Sequence, residues 1–370
     1  MCGAAAFLAG CRPPLENFKR AAAPGDTVYF VPNAKKMVAL TFDDGPNGAA
    51  TMQILDALRA RGVKATFFLV GTNAQRQPEI VKRIAADGHC IGNHTLRHSR
   101  FDLVTPEERE RDIAEGNRAI EAITGLRPTW FRPPYGINGP GLEEACRGQG
   151  LAIAGWSLDA NDWNPHPVEE LVEAIAGQAV PGEVILLHDG WETNPDADRQ
   201  RTAEAVPLIV DKMRAAGFIF ATLPEMQRHA GPPLAVFENG VRLLGLQYAA
   251  AAARPGTRFW ARYFWEVPAN IQGELPGAFV HFQKPRSSYF FRDDHALARP
   301  GDVRDLVIRR AVRVPGAAPG GEYKVKAGLF PPGKYGPKDR LKARSNHPQA
   351  QRAVFLPQSL KVVPAGEGRR

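Results

Sequence analysis

The chain has 370 residues, enough for two or three domains. Its 44% hydrophobic and 23% charged residues exclude a disordered chain, and a mean hydropathy of −0.29 with no 18-residue apolar run excludes a polytopic membrane protein. The net charge of +8 is unevenly spread: residues 1–229 carry 24 basic and 29 acidic side chains, residues 230–370 carry 23 and 10. That asymmetry divides the chain into two physically different parts. Four cysteines without a CxxC pair exclude a disulfide scaffold and a zinc ribbon.

Residues 4–11 form a short apolar stretch ending in Leu8-Ala9-Gly10-Cys11. It resembles a bacterial lipobox, which would make residues 1–11 the remnant of a signal peptide and Cys11 the lipidated residue. The expected location is then the bacterial cell envelope, facing the periplasm or exterior, with membrane contact only through the lipid. No basic segment precedes the apolar run, so an ordinary Ala-rich terminus stays open. Residues 12–32, with Pro13, Pro14, Pro24 and Gly25, read as a tether. Cys90 and Cys146 either pair or stay free.

From Met37 the chain alternates short apolar runs with amphipathic stretches. Strands are expected at 37–42, 65–70, 90–94, 129–132, 152–156 and 184–188. Helices are expected at 51–61, 79–86, 106–123, 140–148, 167–177 and 202–215. Such alternation predicts a parallel α/β sheet or barrel over residues 33–230. No GxGxxG follows the first strand, and the polar clusters gather just after strands, which favours a barrel.

These clusters are Thr41-Phe42-Asp43-Asp44-Gly45-Pro46, His94-Thr95-Leu96-Arg97-His98, Phe131-Arg132-Pro133-Pro134-Tyr135-Gly136, Asp159-Ala160-Asn161-Asp162-Trp163 and Ile185-Leu186-Leu187-His188-Asp189. Taken singly, each has a structural reading. Adjacent acids suit a turn, and a histidine at a strand end is an ordinary satisfied residue. His94 and His98, at i and i+4, would share one face of a helical turn and could bind one metal ion. The Glu of an HExxH metalloprotease is missing between them.

Taken in order, the clusters resemble the motifs of the polysaccharide deacetylases of carbohydrate esterase family 4, the NodB-homology family, over residues 37–228. The resemblance implies an irregular (β/α) barrel with fewer than eight regular strands and a metal-dependent hydrolase that removes N-acetyl groups from an N-acetylhexosamine polysaccharide. Exopolysaccharide, peptidoglycan and chitin-like polymers are all candidate substrates. It also implies Asp44, His94 and His98 as metal ligands, Asp43 as general base oriented by Arg132, and His188 as general acid supported by Asp162. The Tyr135 backbone N–H would be an oxyanion donor, with Pro133 and Trp163 at the substrate; Leu186 suits either the acetyl methyl pocket or ordinary core, and Trp191, on the loop after His188, is a candidate sugar-stacking surface. Three protein ligands leave coordination positions for water and substrate. Zinc is the expected metal, with cobalt, nickel or iron compatible with a carboxylate and two imidazoles. Alternatives are an O-acetyl esterase acting on a polysaccharide such as xylan, and a non-catalytic carbohydrate-binding surface lipoprotein.

Gly231-Pro232-Pro233 reads as a hinge. Beyond it, strand patterns at 234–248, 257–267, 277–284, 304–314, 322–330 and 353–363 predict a β-sandwich-like domain over residues 234–365. Trp260, Tyr263, Phe264 and Trp265 suit either its core or sugar stacking. Lys334, Lys338, Arg340, Lys342 and Arg344 suit either a solvated face or an anionic polymer or envelope surface. No nucleic acid partner is expected.

Overall fold

A computed structural model describes residues 22–33, 35–248, 252–267, 277–285, 287, 290–297, 307–330, 341, 343–344 and 354–363. Cys11 and most of the basic 334–344 stretch lie outside these residues.

The first part contains strands β1 (Thr27–Val28), β2 (Met37–Asp43), β3 (Thr66–Leu69), β4 (Cys90–Asn93), β5 (Trp130–Phe131), β6 (Ala152–Ala154), β7 (Leu158–Asp159), β8 (Val184–His188) and β9 (Ile219–Phe220). Its helices are α1 (Gly48–Ala60), α2 (Gly71–Arg76), α3 (Pro78–Ala86), α4 (Pro106–Thr124), α5 (Leu142–Gly148), α6 (Val168–Ala176), α7 (Gln200–Ala215) and α8 (Leu223–Arg228). The strands run parallel in the order β1-β6-β5-β4-β3-β2-β8-β7, with β9 paired to β2. This curled sheet clad by helices is the irregular barrel expected from the motifs.

All seven residues of β2 are buried, as a central strand covered on both faces requires. Leu40, Phe42, Leu55, Phe67, Ile185 and Leu187 share one apolar cluster with α1 and α7. Helix α4 begins with a Thr105–Glu108 capping box and ends at left-handed Gly125, φ 70°. Cys90 and Cys146 are free thiols, and burial pushes both up to about 12.

The expected tether does not extend over residues 22–32. The Asp26 carbonyl accepts from the Ile153 N–H, β1 pairs in parallel with β6, and Tyr29, Phe30 and Val31 are buried. The two-residue strand is too short for its periodicity to show beside Pro24 and Gly25. Short β7, β9, α2 and α8 escaped sequence reading for the same reason.

The second part holds β10 (Ala235–Phe237), β11 (Arg242–Tyr248), β12 (Ala252–Ala253), β13 (Arg258–Glu266), β14 (Gly277–Gln283), β15 (Phe290–Arg292), β16 (His295–Ala296), β17 (Val307–Arg313), β18 (Gly321–Phe330), β19 (Ala343–Arg344) and β20 (Val354–Val362). One sheet runs β17-β13-β11-β10-β19 and the other β12-β20-β18-β14-β15, with mostly antiparallel pairing. Leu243, Tyr263 and Trp265 from the first sheet and Val280, Phe282 and Val325 from the second share one buried cluster. Tyr263 and Trp265 are therefore core residues, whereas Trp260 is 48% exposed.

Tyr29 joins this second core, and Phe30 stacks on Phe264 with ring centroids 4.1 Å apart. Beside them Arg262 forms a buried ion pair with Glu183 at 2.7 Å. Burial raises the Glu183 carboxyl to about 7, against the opposing pull of Arg262. Glu183 immediately precedes β8, so the second part docks at the N-terminal edge of the parallel sheet.

Candidate active site

Parallel register carries the polar clusters to the opposite, C-terminal edge. Asp43 pairs with Phe68 on β3 and His188 on β8, Leu69 with Asn93, and Asn93 with Phe131. The residues following these positions converge on a cleft of about 280 Å³. Its lining includes Asp43, Asp44, His94, His98, Tyr135, Trp163, Leu186, His188 and Trp191.

Asp44 leaves the end of β2 at φ 72°, a left-handed conformation tolerated by short polar side chains. Its Oδ1 lies 3.0 Å from His98 Nε2 and 3.4 Å from His94 Nε2. Asn73 Nδ2 donates to the Asp44 carbonyl at 2.8 Å and to the Glu192 carbonyl at 2.7 Å, clasping two cleft loops together. Gly45 is required here, because a Cβ would sit 2.1 Å from Asp189 Oδ2.

The histidines are not on a helical turn, as their spacing suggested. Thr95 and His98 have φ 68° and 58°. The 94–98 segment is pinned instead by Asp112, whose Oδ1 accepts from the Leu96 and Arg97 N–H groups at 3.2 and 3.1 Å. Thr95 Oγ1 accepts from the His98 N–H at 2.8 Å. Gly116 lets α4 approach, since a Cβ there would lie 2.8 Å from the Thr95 backbone.

His94 Nδ1 lies 2.7 Å from the Arg132 carbonyl, an acceptor only. That contact places the proton on Nδ1 and leaves Nε2 facing Asp44. Among the described residues, Asp44 Oδ1 and His98 Nδ1 are buried with no hydrogen bond assigned to them. A buried carboxylate oxygen facing two imidazole nitrogens, with ligand atoms all within 4.8 Å, fits a divalent cation. Burial opposes ionisation of Asp44, but His94 and His98 hold its carboxyl well below the usual range. Burial likewise opposes charging of His94, yet Asp43 and Asp44 raise its pKa. The same negative field that draws a proton there draws a metal cation.

Arg132 is fully buried. It donates to Asp43 Oδ1 at 2.7 Å, Thr41 Oγ1 at 2.8 Å, and the Ala154 and Gly155 carbonyls at 3.2 and 2.9 Å. Its guanidinium lies over the Phe68 ring at 4.2 Å. Burial lowers the Arg132 pKa against the raising effect of Asp43. Arg132 Nη1 holds Asp43 Oδ1 and leaves Oδ2 toward His94, 3.8 Å from its Nε2.

At the end of neighbouring β8, His188 Nδ1 meets Asp162 Oδ1 at 2.7 Å, and Asp162 Oδ2 accepts from the His188 N–H and Thr202 Oγ1, each at 2.8 Å. Burial disfavours the imidazolium, but Asp162, with Asp44 and Asp43 behind it, raises His188 to about 9. Leu186, on the same strand, forms part of the floor. Trp163 and Trp191 flank the mouth, 42% and 37% exposed, with ring centroids 6.4 Å apart.

Tyr135 sits in a 3-10 turn, Pro134–Gly136, at φ 59°. Its ring packs edge-on against His98, and its hydroxyl donates to Glu192 Oε1 at 2.6 Å. Pro133, expected at the substrate surface, is buried and outside the cleft lining. Its extended φ −70°, ψ 136° and its carbonyl, which accepts from Gly136 N–H, set the turn that presents Tyr135. Sequence reading did not single out Asn73, Asp112, Trp156 or Glu192. An isolated Asn or Asp in an amphipathic stretch carries no spacing signal. Asp159, to which no role was given, also lines the cleft.

Residues 31–153 match the polysaccharide deacetylase family model. The chain is similar to a peptidoglycan-N-acetylglucosamine deacetylase of Bacillus cereus, 38% identical over 195 residues, spanning 53% of this chain and 70% of that protein. A chitooligosaccharide deacetylase of Sinorhizobium fredii is 37% identical over 194 residues, spanning 51% and 90%. Among solved structures, a peptidoglycan N-acetylglucosamine deacetylase in complex with 4-naphthalen-1-yl-N-oxidanyl-benzamide superposes with a TM-score of 0.52 at 35% identity, covering 56% of this chain and 95% of that one.

Proposed function

The chain belongs to the polysaccharide deacetylase family, and from that premise we propose that it removes N-acetyl groups from an N-acetylglucosamine-containing glycan at the cleft around Asp43 and His188. The observation that carries this reading is that one cleft brings the Asp44–His94–His98 cluster together with two polarised side chains, Asp43 and His188, at paired positions on β2 and β8. Asp43 is fixed by Arg132, and His188 is fixed by Asp162.

Asp44, His94 and His98 would hold a divalent cation, for which we propose zinc over cobalt, nickel or iron, and it would supply Lewis acidity toward the acetyl carbonyl and lower the pKa of water. The Asp43 carboxylate accepts the proton of the attacking water, oriented for that by Arg132. The Tyr135 N–H donates to the oxyanion that develops on the carbonyl. His188, protonated through its pairing with Asp162, donates its proton to the departing amine nitrogen as the carbon–nitrogen bond breaks. Leu186 shelters the acetyl methyl, and Trp163 and Trp191 offer ring faces to the sugar. Asp162 and Arg132 act through His188 and Asp43 and are positioning residues.

The lipobox-like Leu8-Ala9-Gly10-Cys11 supports placement at the cell envelope, where such glycans lie. Acetate release from N-acetylglucosamine oligomers, peptidoglycan and acetylated xylan tests the reading. Release from either of the first two and none from xylan is expected. Release from xylan alone would replace the N-acetyl reading with O-acetyl ester hydrolysis.

A further inference from the structure

One face of β13 and its neighbour β17 carries a row of arginines, of which the barrel engages Arg262 and Arg309 at one end. Register pairs Arg258 with Arg313, Trp260 with Ala311, and Arg262 with Arg309, all pointing to one side of the sheet. Two of these three cross-strand pairs place like charges directly opposite, an arrangement that costs stability. Arg262 is buried against the barrel, where it pairs with Glu183. Arg258, Arg309 and Arg313 are exposed, and among the described residues none is ion-paired with a carboxylate. Among the described residues, the one side-chain hydrogen bond of Arg309 is to Gln178 Oε1, at 3.5 Å; burial lowers the pKa of neighbouring Arg262 against the pull of Glu183, and the Arg309 charge adds to that lowering.

Between these charges stands Trp260. Small Ala311 opposite leaves the indole 48% exposed, and the Arg309 guanidinium lies 5.0 Å from its centroid. Charge on β17, an edge strand among the described residues, also guards against edge pairing. That purpose does not call for an exposed indole on the face of the adjacent strand. An indole flanked by unneutralised guanidinium forks combines a stacking surface for a sugar ring with donors that match carboxylates. The three rows span about 13 Å along the strands, the length of a short oligosaccharide.

We propose that this strip of Arg258, Trp260, Arg309 and Arg313 is a docking site for a carboxylate-bearing polysaccharide, separate from the catalytic cleft. The separation follows from the docking of this domain at the Glu183 end of β8, with His188 at the far end of the same strand. The strip holds polymer while the cleft acts, and it makes no contact with a short oligomer in the cleft. The choice of a glycan over another polyanion rests on the polysaccharide reading of the barrel.

Affinity electrophoresis of the full chain through gels containing polygalacturonate, neutral dextran or polyglutamate tests this directly. Retardation by polygalacturonate only is expected. Trp260→Ala should weaken it about two- to tenfold, and Arg309→Gln with Arg313→Gln should abolish it. Both variants alter exposed positions, and unchanged thermal unfolding confirms their fold. Acetate release from N-acetylglucosamine oligomers should be the same in all of them. No retardation, equal retardation by polyglutamate, or retardation unchanged in the variants would overturn the proposal. Absence of acetate release with retardation intact would instead count against the deacetylase reading alone.

Discussion

Asp162 holds His188 from two directions: Oδ1 meets the ring Nδ1 at 2.7 Å and Oδ2 accepts from the backbone N–H at 2.8 Å. The paired ring and main chain leave His188 one orientation, with Nε2 free to face the cleft. Because the folded-state pKa is raised to about 9, the imidazolium dominates at neutral pH.

The alkaline limb of acetate release should therefore fall near pH 9. Asp162→Asn removes the largest raising influence, so the limb should move to lower pH while Asp43 and the metal ligands stay in place. A pH–rate profile that does not move would remove His188 from the acid role. Stability follows the same sign. The unfolded imidazole titrates at about 6.5, so the pair contributes fully below that pH and its contribution is lost as pH rises through about 9.

His98→Ala should release the metal and with it the activity, read as bound-metal content after gel filtration. The buried carboxylate of Asp44 would then face one imidazole only. Metal affinity should also fall as the solution is acidified, because protons compete for the same Nε2 atoms. Retention of one metal per chain in His98→Ala would show that the ion sits elsewhere.

Gly45→Ala forces a Cβ into the Asp189 carboxylate, which Thr51 Oγ1 anchors at 2.6 Å. The clash moves either Asp189 or the β2 end that carries Asp44. Destabilisation of about 1–3 kcal/mol is expected, together with weaker metal binding. Thermal unfolding and metal titration of the variant check the two effects separately.

Phe30→Ala should uncouple the two parts of the molecule. Phe30 stacks on Phe264 between Val180 and Leu244, next to the Glu183–Arg262 pair. Loss of a buried Phe side chain costs about 3–5 kcal/mol, concentrated here at the junction. Differential scanning calorimetry should resolve two transitions where the unaltered chain gives one. A single transition, merely lowered, would mean that the barrel and the β sheets are coupled through other contacts.

The barrel was legible in sequence because its central strands are long buried runs and its longer helices keep a 3.6-residue period. β1 was not, since two residues beside Pro24 and Gly25 cannot display a period, and only their pairing with β6 reveals them. Candidate chemistry was legible from acids and histidines placed just after strands. Its support was not: Asp112 and Asn73 look like ordinary polar residues until the fold brings one under the His94–His98 loop and the other between Asp44 and Glu192. His94 and His98 show the converse error, since i and i+4 spacing suggested a helix where the chain makes two left-handed turns. In the second part, period-two alternation located the strands. Which aromatic faced outward depended on register, and Trp260 separates from Tyr263 and Trp265 only once β13 is paired.

In the proposed chemistry Asp43 moves the proton while Asp44, His94 and His98 hold the metal. Acetate release and bound metal, measured in parallel on the unaltered chain and on Asp43→Asn, test it most directly. Asp43→Asn should keep one metal per chain and lose activity by a factor of about 10²–10⁴. Undiminished turnover in that variant, with the metal present, would contradict the assignment of Asp43 as the base.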